Sequence, residues 1–447
     1  MTRRALGTGI AAAVAGAVAI VAITIALTPG SPSAQPRTGP AVTGAPGPGS
    51  SAMVGVTVRE VDGGADFFAR FEGGLPASPG FFPIAVWFAS VTSRADVRAD
   101  ARTGINAYVE LTANSDVSLI THAGMHAIPS VPAEGAAGLL VADEVDMWAG
   151  PGDGVWTGAY PGEGDVCLAD VACGYSIMAE LTGRVASGTM TVANFGKGVA
   201  FWETDAEARP FLEYTDVVSA DTYWFTDPNI CGATEGGWGP GDGEAMSEQA
   251  CRLAANYGWT VEHVRSLVEP PGSKPVWSFV EVGQPFGDSG RPAVTGPQIR
   301  AAVWSGIIHG ARGVVYFNHS FGGGCASENV LRDACGDEVR SEVTALNAQL
   351  TELAPTLNAP FVDGLVEVGG DADVAVKLHD GGFTVIAGST RQDLQQVEFT
   401  SGCRDAATAD VLGEDRSIPV TDGRFSDEFA DGDAVHLYRL DGGSCGL

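Results

Sequence analysis

From residue 54 to 355 short apolar runs alternate with longer stretches of helical period. The apolar runs span 82–88, 107–111, 125–128, 139–143, 190–194, 217–221, 276–280 and 314–317. Each is bounded by polar or glycine-containing segments and reads as a buried strand. The segments at 95–103, 175–185, 206–214, 247–267, 297–309 and 337–353 carry apolar residues at helical spacing. Ser247 fits an N-cap and Pro297 a first-turn position. Eight strands, mostly separated by helices, predict βα units and a parallel sheet. Eight such units over roughly 300 residues favour a closed (β/α)8 TIM barrel over an open doubly wound sheet. A dinucleotide-binding sheet also needs a Gly-rich turn after its first strand, and Trp87-Phe88-Ala89-Ser90 is not one.

The texture changes after Pro360. Runs at 365–368, 374–378, 383–387, 396–400 and 435–440 alternate apolar and polar positions between Gly and Asp turns, with no helical period. These predict a small all-β sandwich. At the other end, Arg3 and Arg4 precede an apolar stretch from Ala5 to Leu27, followed by a Pro-, Gly-, Ser- and Ala-rich segment. A basic head before an apolar run is an export signal. It is also long enough to anchor the chain in a membrane. Residues 1–34 are therefore read as signal peptide or N-terminal anchor, 35–52 as linker, 53–358 as the barrel and 359–447 as the sandwich. Cleavage near Ala34 competes with retention, and both outcomes put the bulk of the chain outside the cytoplasm.

Cysteine content supports that location. Cys167, Cys173, Cys231, Cys251, Cys325, Cys335, Cys403 and Cys445 make an even count in an exported chain, which predicts disulfides. The simplest pairing is in chain order. No CxxC or HExxH motif is present, so neither metal nor other cofactor is expected. Asp plus Glu outnumber Lys plus Arg by 55 to 25, a formal charge of −30. Such a surface does not suit DNA or RNA, which need basic patches. The expected molecule is a monomer that touches a membrane only through its N-terminal segment.

In a barrel, ligands meet the C-terminal ends of the strands. The fourth run ends in Asp143 and Glu144, and the seventh in Glu281 after a strongly apolar strand. Side chains alternate along a strand, so Glu144 would share a face with Leu140 and Ala142, and Asp143 would point away. A lone carboxylate closing so apolar a strand as the seventh must be paired, neutralised or used. Asn194, Asp221, Tyr223 and Asn318 end other strands, and His126 lies in the third run. Trp87 and Trp277 add aromatic faces of the kind that stack on sugars. Two carboxylates across one mouth suit glycoside hydrolysis, one as acid and one as base or nucleophile.

This pattern resembles the clan of retaining (β/α)8 glycoside hydrolases, which carry a Glu acid/base after the fourth strand and a Glu nucleophile after the seventh. Glu144 and Glu281 fall on those positions. The stretch from Gln298 to Phe317 resembles the seventh helix and eighth strand of such barrels. The tail from Val411 to Arg439 resembles the β-sandwich often appended to them. The resemblance implies a carbohydrate substrate and a double-displacement mechanism. It departs at Asp143, where the clan has the Asn that binds the sugar 2-hydroxyl. Two other readings compete. One is a non-catalytic carbohydrate-binding or cell-envelope protein on a degenerate barrel. The other is a metal-assisted hydrolase, which requires His122, His126 and acidic side chains to converge.

Overall fold

The computed structural model describes residues 55–287, 290–440 and 445. The N-terminal apolar run and the linker lie outside the described residues. Strand β1 (Thr57–Arg59) leads into eight parallel strands: β2 (Ile84–Ala89), β3 (Ala107–Leu111), β4 (His126–Ile128), β5 (Leu139–Asp143), β6 (Thr191–Phe195), β7 (Val217–Ala220), β8 (Val276–Glu281) and β9 (Val314–Phe317). Every predicted run is one of these strands. Ladders join them in the order β4-β3-β2-β9-β8-β7-β6-β5. The seam between β4 and β5 is crossed by Ala137 N donating to Ala127 O at 2.8 Å and Leu140 N to Pro129 O at 2.9 Å. The fold is a (β/α)8 barrel.

Around it run α1 (Arg94–Arg102), α2 (Val117–His122), α3 (Val145–Ala149), α4 (Gly174–Gly183), α5 (Asp205–Glu213), α6 (Glu248–Cys251), α7 (Ala255–Leu267), α8 (Gly296–Ile308) and α9 (Asp337–Leu357). The Ser247 hydroxyl accepts from Ala250 N at 3.2 Å, as an N-cap should. The helix expected over 247–267 breaks into α6 and α7. Helices α2 and α3 span six and five residues, too short for a 3.6-residue period to stand out in the sequence.

Alternation along the strands separates two apolar layers. Val109, Ile128, Leu140, Val192, Trp277 and Phe279 fill the barrel interior with Trp87. Val86, Tyr108, Val280 and Tyr316 face the surrounding helices. Trp87 and Trp277 are 7 % and 1 % exposed. Both rings fill the barrel, contrary to the sugar-stacking role that their places near strand ends predict. Each such buried aromatic contributes about 1.5–3 kcal/mol, and Trp87 meets Phe279 edge-on at 5.3 Å.

The sandwich comprises β10 (Phe361–Asp363), β11 (Val366–Gly369), β12 (Ala372–His379), β13 (Gly382–Ser389), β14 (Gln395–Ser401), β15 (Thr408–Val411), β16 (Arg416–Pro419), β17 (Arg424–Phe429) and β18 (Val435–Leu440). One sheet runs β1-β10-β12-β13-β18-β15-β16 and the other β11-β14-β17. Strand β1 pairs antiparallel with β10. The sandwich thus takes an edge strand from before the barrel, so it does not begin at residue 359. His309, following α8, bridges Glu262 at 2.8 Å and Asp373 of β12 at 3.0 Å, which fastens the two parts together. The cysteines pair in chain order: Cys167–Cys173, Cys231–Cys251, Cys325–Cys335 and Cys403–Cys445.

Candidate active site

The acids ending β5 are placed by an irregularity in that strand. Its register against β6 slips between Leu140 and Ala142. Leu140 faces the interior layer, whereas Ala142 packs against the helices. The phase is therefore reversed at the strand end, and Asp143 does not point away as alternation predicted. It accepts a hydrogen bond from Asn194 Nδ2 at 2.9 Å, and Asn194 Oδ1 accepts from Ser219 Oγ at 2.7 Å. Asn194 and Ser219 lie two residues beyond Val192 and Val217, on the interior face of their strands.

Glu144 then turns the chain into α3. Its backbone is left-handed, φ 49° and ψ 31°, a region that costs a non-glycine residue about 1–3 kcal/mol. Glu144 N donates to Asn194 O at 2.9 Å, and Glu144 O accepts from Met147 N at 2.9 Å. Phe88 and Glu110, near the ends of β2 and β3, are left-handed too. Strained residues thus gather at the mouth. Opposite Glu144 stands Gly196, where a Cβ would lie 2.2 Å from Met147 Sδ and 3.2 Å from Glu144 Oε1. Only glycine leaves room there for both side chains.

Electrostatics mark this wall. Burial, then the charges of Asp143 and Asp146, push the Glu144 carboxyl up to about 8. Among the described residues none donates a hydrogen bond to that carboxyl. Asp221 is buried and is held well above the carboxylate range by desolvation and by Glu144 and Asp143. Its Oδ2 accepts from Tyr223 OH at 2.8 Å, while Oδ1 is buried without a partner. Asp143 is raised by desolvation and by Glu110 and Asp146. The residue is exposed at the rim, and solvent there limits the shift. Asp146 anchors the loop after β6, accepting from Gly196 N at 3.0 Å and Val199 N at 2.7 Å. Lys197 is the cation of this wall. It binds Asp227 at 2.5 Å and Glu235 at 2.8 Å, and its charge also favours ionised Glu144.

Glu281 closes β8 and is 1 % exposed. Its Oε1 accepts from Phe225 N at 2.8 Å and Tyr257 OH at 2.5 Å; Oε2 accepts from Thr226 Oγ1. Burial pushes its carboxyl up to about 7, against the pull of these three donors. Charges nearest in effect to Glu144 are Asp143, Asp146 and Lys197, whereas Glu281 senses Asp227. Lys197 and its ion pair with Asp227 therefore connect the surroundings of the two glutamates.

The structure gathers Asp143, Glu144, Asn194, Asp221 and Tyr223 into one network. Two expected site residues differ: His126 lies away from this network, and Asn318, at the same end of the barrel, spends its side chain on a loop. His126 is the first residue of β4, at the N-terminal end of the barrel, with its ring edge-on to Phe81 at 5.3 Å. Asn318 is 1 % exposed, and its Oδ1 accepts from Leu331 N at 2.9 Å, shaping the loop after β9. His122 bonds back to Ser118 O within α2. Among the described residues no group of three His, Cys, Asp or Glu side chains is arranged to hold a metal ion. Sequence reasoning missed Glu110, which accepts from Ser130 Oγ at 2.7 Å, and Lys197. Glu110 was findable as the one charged residue of the second run. Lys197 lies on a loop, where periodicity carries no signal.

No protein-family model and no curated protein matches the chain. Solved structures do. One is a noncanonic maltogenic α-amylase from Thermotoga neapolitana, at 9 % identity over 79 % of this chain and 98 % of that one, TM-score 0.45. Another is a GH30 endoxylanase from Clostridium papyrosolvens, at 12 % identity over 80 % and 97 %, TM-score 0.41. A third, described as a glycoside hydrolase, has 12 % identity over 81 % and 93 %, TM-score 0.46. Identities this low leave the chemistry to be argued from the site's own residues.

Proposed function

We propose that this chain is an extracytoplasmic glycoside hydrolase, acting as a monomer on a carbohydrate substrate. The observation that carries the proposal is a half-buried carboxyl, Glu144, set on a left-handed residue at the C-terminal mouth of a (β/α)8 barrel with no hydrogen-bond donor to it among the described residues and with burial, Asp143 and Asp146 favouring its protonated form. Such a group is a general acid. Glu144 donates its proton to the glycosidic oxygen as that bond breaks. The Glu281 carboxylate, whose ionised form three donors favour, attacks the anomeric carbon and forms a glycosyl ester. Glu144, now ionised, takes a proton from the water that hydrolyses the ester, which regenerates both groups and retains configuration. Asp143, Asn194, Asp221 and Tyr223 hold the sugar hydroxyls. Four disulfides support a location outside the cytoplasm.

A second reading gives the nucleophile's role to Asp221, because its buried carboxyl senses Glu144 directly. Screening the protein and its Glu144→Gln, Glu281→Gln and Asp221→Asn variants against a panel of aryl glycosides tests both. Turnover abolished by Glu281→Gln supports the first reading. Turnover that survives Glu281→Gln and is abolished by Asp221→Asn supports the second. Absence of turnover by the parent protein on every glycoside contradicts both and favours a carbohydrate-binding role.

A further inference from the structure

Two tryptophans stand out among the exposed apolar residues: Trp238, 68 % exposed, and Trp202, 50 % exposed. Both follow barrel strands at the catalytic face. Trp202 ends a π-helical turn, Gly198–Trp202, just after β6; Trp238 lies in the segment between β7 and α6. The two segments are fastened to one ring. Phe201 stacks on Trp259 of α7, with centroids 5.8 Å apart and planes 4° from parallel. Gly239 lies so close to the same ring that a Cβ would come within 2.4 Å of it. Residues adjacent to both exposed tryptophans thus pack on Trp259.

The mount is rigid. Lys197, one residue before the π-helical turn, forms ion pairs with Asp227 and Glu235 of the other segment. Trp238 N donates to Glu235 O at 2.8 Å. The Cys231–Cys251 disulfide ties that segment to α6. The same loop reaches the candidate acid: a Cβ at Gly196, the residue before Lys197, would lie 3.2 Å from Glu144 Oε1. Two indoles thus stand half or more exposed on a braced support.

We infer that Trp202 and Trp238 form a binding platform for an extended, neutral polysaccharide chain that continues into the mouth occupied by Glu144. Indole faces stack on the apolar faces of pyranose rings, while the indole N–H serves their hydroxyls. A formal charge of −30 disfavours polyanionic chains. The inference rests on the glycoside-hydrolase reading and narrows it to polymeric substrates.

The test is affinity electrophoresis of the full chain carrying Glu144→Gln, in gels containing hydroxyethylcellulose, xylan, mixed-linkage β-glucan, galactomannan or soluble starch. Polygalacturonate serves as the polyanionic control. At least one neutral polymer should retard the protein. Adding Trp202→Ala or Trp238→Ala should weaken that retardation about tenfold each, with unchanged melting temperature. Leu394→Ala, which alters an exposed apolar residue of the sandwich, should leave retardation as it was. Full retardation in both tryptophan variants, or retardation by polygalacturonate alone, overturns the platform. If the parent protein also cleaves aryl glycosides, that result leaves the hydrolase reading intact. No retardation by any polymer and no cleavage of any glycoside overturns both.

Discussion

Glu144 and Glu281 are the same residue type, each at the end of a strand in the same barrel, and their surroundings are opposites. Among the described residues none donates a hydrogen bond to the Glu144 carboxyl, which is pressed by Asp143 and Asp146. Glu281 receives three, from a backbone N–H, a threonine and a tyrosine. Burial raises both. Beyond burial, like charges favour the protonated form of Glu144, and donors make Glu281 the easier of the two to ionise. In the proposed mechanism the division of labour between acid and nucleophile follows from the groups around each carboxyl, not from its position on a strand.

The largest expected effect separates the two glutamates by chemistry. Glu281→Gln should lower kcat by about 10⁴-fold or more. Glu144→Gln should lower it by about 10²–10⁴-fold for poor leaving groups and far less for activated aryl groups. Equal dependence on leaving group in both variants would erase the contrast. The next effect is on pH. The activity profile should be a narrow bell whose acid limb reports Glu281, at about 7, and whose alkaline limb reports Glu144, at about 8. Glu144→Gln should remove the alkaline limb.

A smaller change sharpens the comparison from the side of Glu281. Tyr257→Phe removes one of its donors and should move the acid limb upward. It should also cost about 1–3 kcal/mol of stability, read from urea unfolding. The smallest effect is on stability against pH. Glu281 and Glu144 have folded-state values above their unfolded value of about 4.5, so the folded state holds more protons between that value and 7 to 8. With respect to these groups stability should be greatest at and below about pH 4.5 and fall as pH rises toward 7 to 8. Fully protonated Glu281 contributes a slope of about 1.4 kcal/mol per pH unit. Unfolding free energies that rise from pH 5 to 7, and do so equally in Glu281→Gln, would contradict this.

Much of the fold was legible because strand runs and helical period are local signals. All eight barrel strands and the four cysteine pairs lay in the sequence pattern. β1 was not legible: three residues pair with a strand some three hundred positions later, and nothing local records that. The site was legible in part. Carboxylates at strand ends are visible wherever an apolar run stops. The side on which Asp143 faces was not, because one slip in β5 register reverses the phase that alternation assumes. Trp87 and Trp277 illustrate the opposite limit. Composition identifies a tryptophan near a strand end, but only packing tells whether its ring fills the barrel or faces a ligand.

Which carboxylate bonds to the sugar decides between the two readings. The 2-deoxy-2-fluoro analogue of whichever aryl glycoside the protein cleaves should accumulate as a slowly hydrolysed glycosyl ester. Peptide mass analysis of the trapped protein then locates it. The ester is expected on Glu281; an ester on Asp221, or turnover of the substrate with inverted configuration and no ester at all, would contradict the proposed double displacement at Glu281.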